Sequence, residues 1–209
     1  MKTIQFMTLI VACGLAIAAT TEAADRSEDD LLAVLSSTDS SLEEKAMACD
    51  DLGRVGTAKA VPVLAELLSN QELHDYARDG LERIPDGEAG QALMTALDTL
   101  EGSLRVGVVI TLGDRAEEAA VPALSEIAGS SDGVAAGAAL VSLGLIASDK
   151  ACATIISALV ESEGKVQESA ARAALIALQR RSKAGQASEE LTDALDAAEI
   201  PERFKTVAK

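Results

Sequence analysis

Leucines close apolar segments at a nearly constant interval along this chain. Leu52, Leu81, Leu112, Leu143 and Leu178 are separated by 29, 31, 31 and 35 residues. Four positions before each of these markers stands a small residue: Ala48, Ala77, Val108, Ala139 and Ala174. A second stretch with apolar positions three and four apart lies upstream within the later intervals. It carries Val61, Leu64, Leu67 and Leu68, then Leu93, Leu97 and Leu100, then Val121, Leu124 and Ile127, then Ile155, Ile156 and Leu159. That spacing puts the apolar side chains on one face of an α-helix. Each interval therefore predicts two helices: an A helix, expected near residues 58–68 and 88–100 in the second and third units, and a B helix ending on the marker.

Turn formers separate the units at Gly56-Thr57, Pro85-Asp86-Gly87, Gly102-Ser103, Gly129 to Gly133 and Glu163-Gly164. A period of about 30 residues is one helical hairpin, which cannot bury its apolar face alone and has to stack on its neighbours. The pattern predicts an elongated array in residues 24–183. A further amphipathic helix over 189–195, within a cap and tail spanning 184–209, shields the last apolar face. At the other end Ser27 is placed to cap a helix beginning at Glu28.

Val61-Pro62 and Val121-Pro122 fall two periods apart, with proline near a helix start, where it has little hydrogen bonding to lose. The segment Ala60-Val61-Pro62-Val63-Leu64, followed by a helix closing on Leu-Gly-x-Val/Ile, resembles the short HEAT-like repeats similar to those of phycobilisome lyases. The resemblance covers about residues 27–183. It implies an all-α fold, a right-handed α-solenoid of about five hairpins plus a C-terminal cap helix, with A helices on the convex side. B helices would line the concave, usually partner-binding, side. The third unit departs from the pattern, being rich in Val and Gly between Arg105 and Ile110, and the spacing of the fifth is four residues longer than that of the unit before it.

Composition narrows the picture. Apolar residues make up 48% of the chain, supplied almost wholly by Ala, Leu, Val and Ile; Trp is absent, Tyr occurs once and Phe twice. Good helix formers therefore dominate and aromatic β-formers are missing. A net charge of −16 repels phosphate backbones and anionic headgroups, so nucleic acid and lipid surfaces are not expected partners.

Residues 1–23 do not belong to the array. Lys2, an apolar stretch over positions 4–19 and the small residues Thr21 and Ala23 ahead of Ala24 read as a cleaved signal peptide. The apolar run is too short for a bilayer span of about 20 residues. Export to the periplasm or outside is expected, with no membrane insertion after cleavage. Ile10-Val11-Ala12-Cys13 also offers a lipoprotein box anchored through Cys13, although the apolar stretch continues past it. Cys49 and Cys152 fall in the first and fifth units. Helices stacked about 8–10 Å apart place them well beyond the ~7 Å that a disulfide tolerates, so two separate buried thiols are expected.

Catalysis is not expected, and neither is a cofactor. The chain has a single histidine, so it cannot supply the several His-Glu pairs of the di-iron hydroxylases that share the HEAT-like architecture. Nor can it offer the polar and aromatic pocket expected of a bilin lyase. Its paired carboxylates (Asp29-Asp30, Glu43-Glu44, Asp50-Asp51) point about 100° apart on a helix and read as solvated surface. The most polar helix, expected over 71–83, holds His74, Tyr76 and Arg78. Seven residues before the markers, Lys45, His74 and Arg105 form a polar column. Tyr and Arg dominate interface hot spots. Lys45, His74, Tyr76, Arg78 and Arg105 are therefore the expected partner contacts along the inner face. The reading that results is a non-enzymatic protein-interaction scaffold of the cell envelope or secreted space, compatible with a monomer. An accessory subunit docked on an envelope enzyme or transporter is the alternative, and a structural spacer a third.

Overall fold

The computed structural model describes residues 26–186, 188–201 and 204; the expected signal segment and Cys13 lie outside them. Among the described residues the chain forms eleven α-helices and no strand. They are α1 (Glu28–Ser36), α2 (Leu42–Val55), α3 (Val61–Leu67), α4 (His74–Arg83), α5 (Gly87–Ala96), α6 (Gly102–Asp114), α7 (Val121–Ala128), α8 (Gly133–Ile146), α9 (Asp149–Glu161), α10 (Gly164–Lys183) and α11 (Glu189–Ala197). None is long and apolar enough to cross a membrane. Both Val-Pro helices, α3 and α7, are entered through a 3-10 turn (Ala58–Ala60 and Glu118–Ala120), so α3 starts later than the apolar spacing suggests. The four extra residues of the fifth unit fall in its B helix, α10 having 20 residues against 14 in α8.

Odd-numbered helices are A and even-numbered helices are B. Each A helix packs on the B helix after it, and the B helices lie side by side in chain order, α2 on α4, α4 on α6, α6 on α8 and α8 on α10. In the A layer α3 packs on α5, α7 on α9, and α11 closes the end against α9 and α10. The first unit is thus a full hairpin. One apolar cluster runs from Leu31 to Ile200 and includes every marker leucine, with Leu52, Leu81, Leu112 and Leu143 fully enclosed and Leu178 at its edge. The small column Ala48, Ala77, Val108, Ala139 and Ala174 is buried throughout. This is a two-layer α-solenoid.

Contacts between B helices depend on side chains that are absent. A Cβ on Gly113 would lie 2.6 Å from the Cα of Ser142, and one on Gly144 would lie 2.6 Å from the carbonyl oxygen of Ala173. In both cases the neighbour is backbone or is fixed to it, so it cannot swing aside. Ser142, itself buried, donates its hydroxyl to Val109 O (2.9 Å) and ties α8 to α6 with no unsatisfied group.

Arginines fasten successive units as well. Arg115 follows α6, and its Nη1 donates to the carbonyls of Leu81 (2.6 Å), Glu82 (3.0 Å) and Ile84 (2.6 Å) while Nη2 donates to Asp86 O (3.1 Å). A guanidinium there satisfies orphan carbonyls at the end of α4 and complements the negative end of its dipole. Arg181 does the same for α8, bonding Ala147 O (3.1 Å) and Asp149 (2.8 Å). Both arginines stand three residues after a marker leucine. Each lies against one of the two left-handed non-glycine residues among the described ones, Ala116 (φ 52°) and Ala147 (φ 56°), a conformation that costs about 1 kcal/mol for a residue with a Cβ.

Local signals agree with these boundaries. Ser27 and Ser41 form capping boxes with Asp30 and Glu44, and hydrogen bonds from each serine hold the two carboxyls below their usual pKa. Cys49 and Cys152 are both free and buried, as expected. Burial pushes the Cys49 thiol up to about 11, which keeps it protonated and unreactive at neutral pH.

Unfolding measurements on point variants check both kinds of fastening. Gly144→Val should lower the urea midpoint by the equivalent of about 2–3 kcal/mol, because α8 and α10 must separate. Gly133→Ala, at a position with open space around the Cβ, should be neutral or stabilising by up to about 1 kcal/mol. Arg115→Met keeps the aliphatic stem and removes the four carbonyl bonds, and should cost about 2–4 kcal/mol. Arg115→Lys should recover only part of that loss, since an ammonium cannot fork across successive carbonyls.

Candidate functional site

The B helices are amphipathic toward two neighbours and expose only a narrow outer strip. On α2 and α4 that strip falls nine, five and two residues before the marker: Glu43, Met47 and Asp50 on α2, with Glu72 (just ahead of α4), Tyr76 and Asp79 on the next unit. The two strips face each other across a groove of about 800 Å³, lined also by Leu42, Ala46, Asp51 and Arg54. Its apolar surface is open to solvent, with Met47 50%, Leu42 46% and Tyr76 46% exposed.

Around this apolar floor stand five carboxylates (Glu43, Asp50, Asp51, Glu72 and Asp79) and one cation, Arg54. Arg54 is bound to Asp51. Asp50 accepts from Arg83 Nη2 at 2.7 Å, and Asp79 lies 3.6 Å from Arg78. Glu43 and Glu72 form no ion pair among the described residues. With Asp50, Asp51 and Asp79 set against arginines, Glu43 and Glu72 leave the rim net negative.

The five residues singled out from the sequence are not brought together. Tyr76 lines the groove; Lys45, His74, Arg78 and Arg105 do not. Lys45, His74 and Arg105 are half-buried, and the same column becomes the fully buried Ala136 and Ala171 in the fourth and fifth units. That column points into the seams between helices. Seven and five residues before a marker are two positions apart, or about 200° around a helix, so His74 and Tyr76 face opposite ways. Arg78 is a fastener: it lies across Gly107, Nη1 donates to the buried hydroxyl of Thr111 (2.9 Å), and Nη2 pairs with Asp75 (3.0 Å). This accounts for the Val- and Gly-rich third unit, where Gly107 leaves room for the guanidinium. His74 pairs with Asp75 at 3.2 Å.

Among the described residues no group of three or more His, Cys, Asp or Glu side chains is arranged to hold a metal ion. A second groove, of about 720 Å³, lies between α3 and α5 in the A layer and is lined mainly by small residues such as Ala65, Ala92 and Ala96. It offers neither large anchors nor a concentration of charge.

The sequence matches no protein-family model and no curated protein. Solved structures do resemble the chain. One engineered protein is similar over 87% of this chain and 56% of its own length, with 22% identity and a TM-score of 0.50. That likeness, together with the paired helix layers, fixes the architecture. The chain folds as an array of stacked helical hairpins. A second engineered protein is similar over 87% of this chain and 93% of itself, at 22% identity and a TM-score of 0.49. The complex of CpcE and CpcF of phycocyanin lyase from Nostoc sp. PCC7120 covers 87% and 72%, at 19% identity and 0.45.

The groove residues should be dispensable for folding of the array. Met47→Ala and Tyr76→Ala should each change stability by less than about 1 kcal/mol. Leu52→Ala, from the sealed core beneath them, should cost about 2–5 kcal/mol. Thermal or urea unfolding of the three variants checks the contrast.

Proposed function

We propose that this protein is an exported, non-enzymatic scaffold that holds a protein partner against the outer face of its B helices. The observation that supports this most is where the exposed large apolar side chains lie among the described residues: Leu42, Met47, Val55, Tyr76, Ile110 and Val134 are on B helices, and Val160 alone is on an A helix. Aromatic and methionine side chains that are half-exposed on a rigid surface are what interfaces bury. Arg78, Arg115 and Arg181 are engaged in structural bonds, which draws them away from any role in gathering phosphate or other anionic substrates on the B face. The signal-like segment ahead of Ala24 supports work in the cell envelope or secreted space.

Photo-cross-linking in the native cells tests the reading. A photoreactive residue at Tyr76 or Val134 should give a discrete protein adduct, and one at the exposed Gln91 of α5 should not. Adducts from Gln91 alone, or from none of the three positions, would exclude the B face. N-terminal sequencing of the fractionated protein should find Ala24 first; an intact Met1 in the cytosol would remove export from the proposal.

A further inference from the structure

If the B face is a protein-binding face, as the scaffold reading holds, the groove between α2 and α4 specifies more than a generic partner. Its floor is a broken apolar strip made by Leu42, Met47 and Tyr76, and its rim carries five carboxylates, of which Asp50, Asp51 and Asp79 are paired with arginines while Glu43 and Glu72 form no ion pair among the described residues. An apolar floor between acidic walls is complementary to a segment that is apolar along one stripe and positively charged on both sides of it. Such a segment is a cationic amphipathic helix. α2 and α4 are adjacent helices of one layer, so the furrow between them accepts a third helix packed at about 8–10 Å from each. The volume of about 800 Å³ is within the range of sites that enclose a few large side chains.

We propose that this groove binds a cationic amphipathic helix of another protein, its apolar stripe seated on Met47 and Tyr76 and its Lys or Arg side chains reaching Glu43, Asp50, Glu72 and Asp79. Methionine suits this role because its unbranched thioether adapts to different apolar partners. Tyr76 presents an aromatic face on which a lysine or arginine flanking the stripe stacks as a cation–π pair. The carboxylates supply orientation and speed of encounter, and the apolar floor supplies the resident affinity. A second copy of the chain is a poor occupant. Its net charge is −16, and the exposed cations of its α10 last turn, Arg180 and Lys183, sit at the far end of the array.

The full-length chain and three labelled synthetic peptides of about four helical turns test the proposal by fluorescence anisotropy. One peptide pairs a Leu stripe with Lys flanks, the second pairs Leu with Glu, and the third pairs Ser with Lys. Only the Leu/Lys peptide should bind at physiological salt, and raising the salt should weaken it. Asp50→Lys combined with Asp79→Lys should weaken binding about tenfold or more, two surface charge pairs being reversed at roughly 1 kcal/mol each. Met47→Ser combined with Tyr76→Ser should give a comparable loss, with helicity unchanged in both double variants. Equal binding of the Ser/Lys peptide, or unchanged binding in either double variant, would overturn the proposal. So would self-association of the wild-type chain in sedimentation that the Asp50→Lys/Asp79→Lys variant abolishes, since the occupant would then be a second copy. Cross-links from Tyr76 that persist while the Leu/Lys peptide fails to bind would retire this occupant and leave the scaffold reading standing.

Discussion

The B helices touch one another where side chains are smallest, and the rest of the molecule depends on that approach. At Gly113 and Gly144 the neighbouring helix is close enough to exclude even a methyl group. The alanine column extends the same closeness along the layer. Small residues add little apolar area each, so the gain comes from many short-range contacts between backbones, together with the larger leucines that fill the space between layers. The result is a thin slab in which Leu52, Leu81, Leu112 and Leu143 are sealed from solvent with scarcely any aromatic residue to seal them. Because each unit touches only its neighbours, the tolerance for a misplaced methyl is set locally, interface by interface.

Close packing also determines where the positive charge goes. B helices that end abruptly between neighbours leave carbonyls pointing into the seam, and apolar side chains cannot satisfy them. Arg115 and Arg181 reach back from the following unit to do so, and Arg78 spans a seam to the buried Thr111. Cations drawn inward for these bonds are lost to the surface. The outer strip of α2 and α4 is consequently more acidic than composition alone indicates, and the acidic groove is in part a by-product of how the array is fastened together. Structure and recognition share one charge distribution.

Much of the architecture was legible in the chain. The marker leucines, the small column four residues before them, the turn residues and the Ser27 cap fixed the hairpins, their order and their layers. What the pattern missed has specific causes. The 3-10 turns ahead of Pro62 and Pro122 leave no trace in apolar spacing. Asn70 caps a turn over residues 71–73, its side-chain oxygen accepting from Glu72 N (2.9 Å) and Leu73 N (3.0 Å), so α4 begins at His74 instead of at 71. Polar residues at Lys45, His74 and Arg105 suggest a solvent face, yet the three are half-buried and lie off the groove. Ala136 and Ala171 in the same register carried the opposite signal, that this column is enclosed. Long arginines obscure such readings: their heads act 30 or so residues away in sequence, and no local periodicity records it.

The position of the groove has a thermodynamic consequence. It bridges α2 and α4, the first two B helices among the described residues, and within those residues α2 has a B neighbour on one side only. Terminal units of a linear array are held by a single interface and open at lower free energy than internal ones. A helix laid across α2 and α4 adds a second set of contacts to that junction. Whatever binds there stabilises the terminal hairpin in proportion to its occupancy. The same linkage makes the ordered state of α1 and α2 a condition for binding. The capping boxes at Ser27 and Ser41, and the Glu28 carboxylate that accepts from Thr57 N (2.7 Å) and Thr57 Oγ1 (3.0 Å), therefore act on recognition without touching the ligand. They keep the first hairpin in register with the second, and so keep the two walls of the groove the right distance apart.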